Sequence, residues 1–166
     1  MPNNVDDPMP DNSESVTLAF TIIIGGILGV TLWHPKPPIV AVARFDNETG
    51  LAAMTAFSDA LTDMVVVRLT AGAGAKFGIV GNAQPLRQPR PYRDLLAIAS
   101  SLKAKYVILG QVQGSAAHRR VLAHLIRLPG QTHVSVARFD RDAGDDLQTE
   151  TELSRLIAAN FLQHLH

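Results

Sequence analysis

The chain has 166 residues, equal numbers of acidic and basic side chains (15 of each) and no cysteine. That length points to one domain with an appendage. The excess of about four positive charges after Trp33 is too mild for the strongly basic surface of a nucleic-acid binder, and the lack of cysteine excludes disulfides and thiolate chemistry.

The charge is unevenly placed. Asp6, Asp7, Asp11 and Glu14 fall in the first fifteen residues, and every Lys and Arg lies after Trp33. Residues 1–15 are polar, acidic and rich in Pro and Asn, with too little apolar surface to offset the entropy of ordering, so a disordered tail is expected. Residues 16–33 read VTLAFTIIIGGILGVTLW, without a charge. Their number approaches the ~20 needed to cross a ~30 Å hydrocarbon core, and Trp33 stands where an aromatic interface anchor belongs. A core helix would carry a polar face, and a cleaved signal peptide would carry a basic leading region and a small-x-small site. The sequence therefore predicts one retained transmembrane helix over 16–33, followed by a stiff Pro-rich linker over 34–38. Thr17, Thr21, Gly25 and Gly29 recur every four residues. Such a stripe lets two membrane helices pack closely, which makes a homodimer one expectation; the bland alternative is that glycine is common in membrane helices.

The soluble domain is expected over 39–166. IVAVARFD alternates β-branched and small residues at a period near two, which is strand writing. NETG is turn chemistry. Leu51, Met54, Phe57, Leu61, Met64, Val65 and Leu69 then follow one helical stripe. Gly72 and Gly74 close that helix. Phe77–Gly81 predicts a brief second strand, and Asn82–Pro91, with Pro85, Pro89 and Pro91, a loop. A helix over about Tyr92–Lys103 would turn Leu95, Leu96, Ile98, Ala99 and Leu102 inward. Tyr106–Gln113 is nearly continuous in apolar residues at its start, as a central strand requires.

Arg119–Leu128 and Thr132–Asp140, joined at Pro129-Gly130, complete an antiparallel meander. Pairing Leu128 with Gln131 puts Val121, Ala123 and Leu125 on one face with Val134 and Val136. Asp145 and Gln148 resemble a capping box opening a last helix with Leu147, Leu153, Leu156, Ile157, Phe161 and Leu165. The predicted fold class is α/β: a mixed sheet of about five strands in the order β-α-β-α-β-β-β-α, packed with helices.

This order and several phrases resemble the TolB amino-terminal-like domain, a module of bacterial membrane-tethered winged-helix regulators of the CadC type and of some adenylate cyclases. Phe45, Asn47 and Gly50 match its opening strand and turn; Phe57, Asp59, Leu61 and Thr62 match its first helix. Tyr106, Val107 and Gly110 fall in its central strand, and Phe139, Asp140 and Arg141 end its hairpin. The resemblance covers most of residues 39–141. It implies a domain on the periplasmic side of a bacterial inner membrane, with no winged-helix, kinase or cyclase part preceding it here. The charge rule points the other way, because Lys36 and Arg44 follow the helix while the tail carries no cation.

Chemical motifs are sparse. Gly72, Gly74 and Gly78 come after a helix and before a strand, the reverse of a phosphate loop. His124 and His133 are diagonal neighbours on the last hairpin, but zinc wants three or four convergent ligands, so no metal and no cofactor is expected. Asp46, Asp59 and Asp63 fit a solvated helix face better than a paired-carboxylate site. Arg87, Arg90, Tyr92 and Arg93 make a basic, aromatic-containing loop, the candidate contact with a protein partner or acidic lipid headgroups. The bland alternative is a solvated loop, since its charges fall short of the roughly four to eight typical of such patches. The sequence thus predicts a single-pass, membrane-anchored, non-catalytic binding or sensory module, not an enzyme and not a nucleic-acid binder. The alternatives are a split or remnant half of a membrane-tethered regulator, and a small-molecule sensor.

Overall fold

The computed structural model describes residues 35–115 and 117–166. The predicted tail, the helix over 16–33 and its stripe Thr21, Gly25 and Gly29 lie outside the described residues. Among the described residues no helix is long and apolar enough to cross a membrane. Strands β1 (Ile39–Val42), β2 (Asp46–Asn47) and β3 (Gly78–Val80) come early, with helix α1 (Met54–Ala73) between the last two. Helix α2 (Leu95–Leu102), strands β4 (Ala104–Gly114), β5 (His118–Arg127) and β6 (Thr132–Asp142), and helix α3 (Asp146–Leu162) follow. The sheet order is β3-β1-β4-β5-β6, with β2 also on β4, which makes six strands. β1, β3 and β4 run parallel, and β4, β5 and β6 antiparallel.

The sixth strand arises because the predicted strand IVAVARFD breaks. Val42 pairs with Ile108 and Asp46 with Gln111, so three residues on the first strand face two on β4. The cause is Phe45. Its ring lies flat on Gly110, where an added Cβ would collide with it. Its amide leaves the ladder and donates to Thr62 Oγ1 at 2.9 Å. Glu48 N–H then returns to Val112 O at 2.8 Å. Phe45, Thr62 and Gly110, three separate phrases in the sequence, are one packed unit.

Helices α1 and α3 pack side by side on one face of the sheet. Phe57, Leu61, Val65 and Leu69 of α1 meet Leu153, Ile157 and Phe161 of α3 over Val40, Ile108, Val121 and Leu125. A smaller core on the opposite face joins Ile98 of α2 and Leu86 to Ala41, Val107 and Ile126. Some expected core positions fall outside. Leu51 precedes the helix and is exposed, as are Leu96 and Leu147. Leu96 lies off the stripe Leu95, Ile98, Ala99 and Leu102 that packs on the sheet, and Asp94, not Pro91, opens α2, accepting from Leu96 N and Ala97 N. Arg90–Tyr92 becomes a separate 3₁₀ turn, and α2 keeps only eight residues. Leu147 sits in the first turn of α3, which Asp145 caps through Gln148 N at 2.7 Å as the capping box predicts.

The last hairpin corrects one predicted face. Arg127 pairs with Thr132 and Ile126 with His133, the register that Leu128 opposite Gln131 implies. A bulge between Leu125 and Ile126 then shifts the pairing, so Leu125 meets Ser135 and Val121 meets Phe139. One inserted residue flips every later side chain. Val134 still packs on the main core, but Val136 lies opposite His124 and is 53% exposed. Ala137 and Phe139 take the inner positions.

Asp140 ties this hairpin together, accepting from Arg138 Nε and Arg120 Nε at 2.8 Å each. These bonds, Arg138's first, hold its carboxyl at about 2. A carboxylate depressed in the folded state contributes stability above its unfolded value of ~3.9, which is lost as pH falls toward the folded one. Urea midpoints are therefore expected to drop more steeply between pH 4 and 2 in the unsubstituted protein than in Asp140→Asn. Parallel slopes would contradict this assignment.

Candidate functional site

β1 and β3 are adjacent and parallel, yet the chain leaving β1 runs to α1 on one face and the chain leaving β3 runs to α2 on the other. In parallel sheets that divergence opens a crevice at the carboxyl ends of the strands. Here its first recess, about 410 Å³, is lined by Arg44–Glu48, Thr55 and Ser58 on one side and Arg87–Pro91 on the other. A second recess of about 360 Å³ adjoins it, and Arg44 and Arg87 line both.

The walls are held by ion pairs. Arg93 donates from Nη1 to Asp46 Oδ2 at 2.9 Å and from Nη2 to Asp46 Oδ1 at 3.0 Å. It also donates to the carbonyls of Gln88 at 2.9 Å and Arg44 at 3.1 Å. Its side chain is only 2% exposed. Arg93 therefore faces inward and fastens the loop to the strand end. Arg44 forks onto Asp59, with Nη2 to Oδ2 at 2.9 Å, and this bond raises the arginine's pKa. Arg90 pairs with Glu48. Asn47 shapes the turn beneath, donating to Leu51 O at 2.8 Å and accepting from Thr49 N at 3.1 Å, while Gly50 takes a positive φ of 76°.

Of the predicted contact residues, Arg87 and Arg90 line the crevice, Tyr92 stands outside it and is 77% exposed, and Arg93 is buried. Asp59 and Asp63 line the second recess without Asp46; Asp46 and Asp59 are each held by an arginine, and Asp63 accepts from Asn82 Nδ2 at 3.1 Å. His124 and His133 are neighbours, as expected, with ring centroids 5.3 Å apart. Burial first, then His133 and Arg90, lower the His124 pKa. Among the described residues no three His, Cys, Asp or Glu side chains gather as for a metal. Sequence reasoning does not single out Glu48, or Arg44 as a site residue. The signal for both is a charge directly after an apolar parallel strand, where such crevices form.

A second feature lies at the far side of the sheet. β6 is bonded to β5 alone, leaving an edge of eleven residues. Its inner face is covered by α3, while Val136 and Arg138 stand exposed on the other.

No family model matches the chain. A putative adenylate cyclase 3 of Rhizobium meliloti (strain 1021) is 28% identical over 123 residues, which is 74% of this chain and 21% of that protein. The chain therefore spans about a fifth of that relative's length. Among solved structures, the PelC dodecamer of Paraburkholderia phytofirmans superposes with a TM-score of 0.57 at 20% identity, covering 79% of this chain and 91% of that one. TolB from Acinetobacter baumannii gives 0.52 at 17% identity, over 76% of this chain and 29% of that one. The fold is TolB-like. Lipoprotein GNA1162 from Neisseria meningitidis also has it, at a TM-score of 0.51 and 11% identity over 76% of this chain and 96% of its own.

Proposed function

We propose that residues 39–166 form a non-catalytic protein-binding module, held to a bacterial inner membrane by a transmembrane helix over 16–33 and facing the periplasm. The observation that carries this reading is the β6 edge, whose eleven residues are paired on one side. An extended partner segment adds to such an edge by main-chain hydrogen bonds, with side chains beside it for specificity. Tyr92 and Arg90 offer a second, smaller contact, and the membrane helix raises the local concentration. The crevice carboxylates Asp46 and Asp59 are each committed to an arginine, which suits a binding surface better than acid–base chemistry.

The Rhizobium relative carries the matched segment as a fraction of a longer chain. That supports an accessory role; the second reading is a split or remnant half of a membrane-tethered regulator. The stripe Thr21, Gly25 and Gly29 supports a homodimer through the membrane helix.

A photo-crosslinking amino acid at Val136 of the full chain, activated in intact membranes, tests the edge. A covalent adduct to another polypeptide is expected from Val136 and not from Lys76, an exposed position beyond α1. No adduct from Val136, or equal adducts from both, would contradict it.

A further inference from the structure

We infer that the recess between Arg44–Glu48 and Arg87–Pro91 is a binding site for a small organic anion, whose carboxylate or phosphate oxygens are taken by the Arg87 guanidinium. The placement comes from topology. β1 and β3 are neighbours whose following helices lie on opposite faces, so the recess occupies the carboxyl-end position where open parallel sheets seat ligands. Its volume of about 410 Å³ lies within the range of small-molecule sites.

Charge decides the class of ligand. Three of the four arginines near the strand ends are committed: Arg44 to Asp59, Arg90 to Glu48 and Arg93 to Asp46. Among the described residues Arg87 makes no ion pair, so the first recess carries one unbalanced positive charge. Asp63 lines only the second recess. A guanidinium with all its donors free matches a carboxylate or phosphate in a fork.

The backbone that carries Arg87 is fixed in advance. Its amide caps the 3₁₀ turn Gln84–Leu86 by donating to Gln84 O at 3.2 Å. Leu86 is 1% exposed in the smaller core, and its carbonyl accepts from Arg44 N at 3.0 Å. Arg93 holds Gln88 O from the other side. The arginine therefore needs to order only its own side chain to bind. Thr55, Asn47 and Pro89 supply a mixed polar and apolar wall for the body of the molecule. No residue of β6 lines this recess, so the two readings stand or fall separately.

Isotope-edited NMR of the full chain in detergent, titrated with inorganic phosphate and with benzoate at constant ionic strength, tests it. The side-chain Nε–H of Arg87 and the amides of Phe45, Asn47 and Gln88 are expected to shift along a saturable curve with at least one probe. Arg87→Gln should weaken that binding about tenfold or more, the loss expected for a charged hydrogen bond. Arg87→Lys should recover part of it, because the ammonium keeps the charge without the fork. Saturation by benzoate alone assigns a carboxylate ligand, and by phosphate alone a phosphorylated one. Unsaturable shifts with both probes, or equal affinity in Arg87→Gln with unchanged spectra elsewhere, would overturn the inference.

Discussion

Phe45→Ala is expected to destabilise residues 37–166 by about 3–5 kcal/mol, the usual cost of emptying a buried aromatic site. The ring is 1% exposed, belongs to the main core and rests on Gly110. A domain of this size has a total stability of roughly 5–15 kcal/mol, so the loss is a large part of it. Gly110→Ala should cost about 1–3 kcal/mol by overpacking against the same ring. Because the two positions touch, the effects should not add: with Phe45 already alanine, the methyl at position 110 fills vacated space and costs far less. Urea unfolding of the two single variants and the double variant measures the coupling. Strict additivity would show that the ring does not rest on the glycine.

Arg93→Ala is expected to cost about 3–5 kcal/mol, for an electrostatic reason. It leaves Asp46, whose side chain is 17% exposed, without its counter-charge in a partly dry site. Two carbonyls, of Gln88 and Arg44, lose their donor as well. Arg93→Lys should recover only part of the loss, since one ammonium cannot hold both carboxylate oxygens and both carbonyls. Replacing the pair together, Arg93→Met with Asp46→Leu, should cost much less than Arg93→Ala alone, because no charge is then stranded. Hydrogen exchange of residues 88–93 should quicken in Arg93→Ala, as the loop is released. Urea midpoints with exchange rates check both halves. A neutral Arg93→Ala would contradict the burial of the ion pair.

These two cases also show what was legible in the sequence. The strands at Ile39–Val42 and Ala104–Gly114 and the helix through Phe57, Leu61, Val65 and Leu69 announce themselves, because apolar periodicity reflects which side faces the core. The break at Phe45 does not. An aromatic residue fits the alternation of a continuous strand, and the contact with Gly110 joins positions far apart in the chain. The hairpin bulge is hidden for a related reason: inserting Val134 leaves both strands plausible, yet it moves Val136 outward. In the site, composition marks Arg87, Arg90 and Arg93 as a basic cluster, but not their division of labour. Arg93 is turned inward by Asp46, and Arg90 is neutralised by Glu48. Those partners sit on the other wall of the crevice, and only the folded chain brings them there.

The proposed function requires residues 39–166 to stand on the periplasmic side of the membrane. The sequence contains no cysteine, so a single thiol can be placed at will. Leu147, 69% exposed in the first turn of α3, is a suitable position because it lies outside both cores. With Leu147→Cys in the full chain, a membrane-impermeant maleimide should label intact cells to the same extent as lysed ones. Labelling only after the inner membrane is broken would put the domain in the cytoplasm, as the charges of Lys36 and Arg44 favour, and would contradict the proposed function.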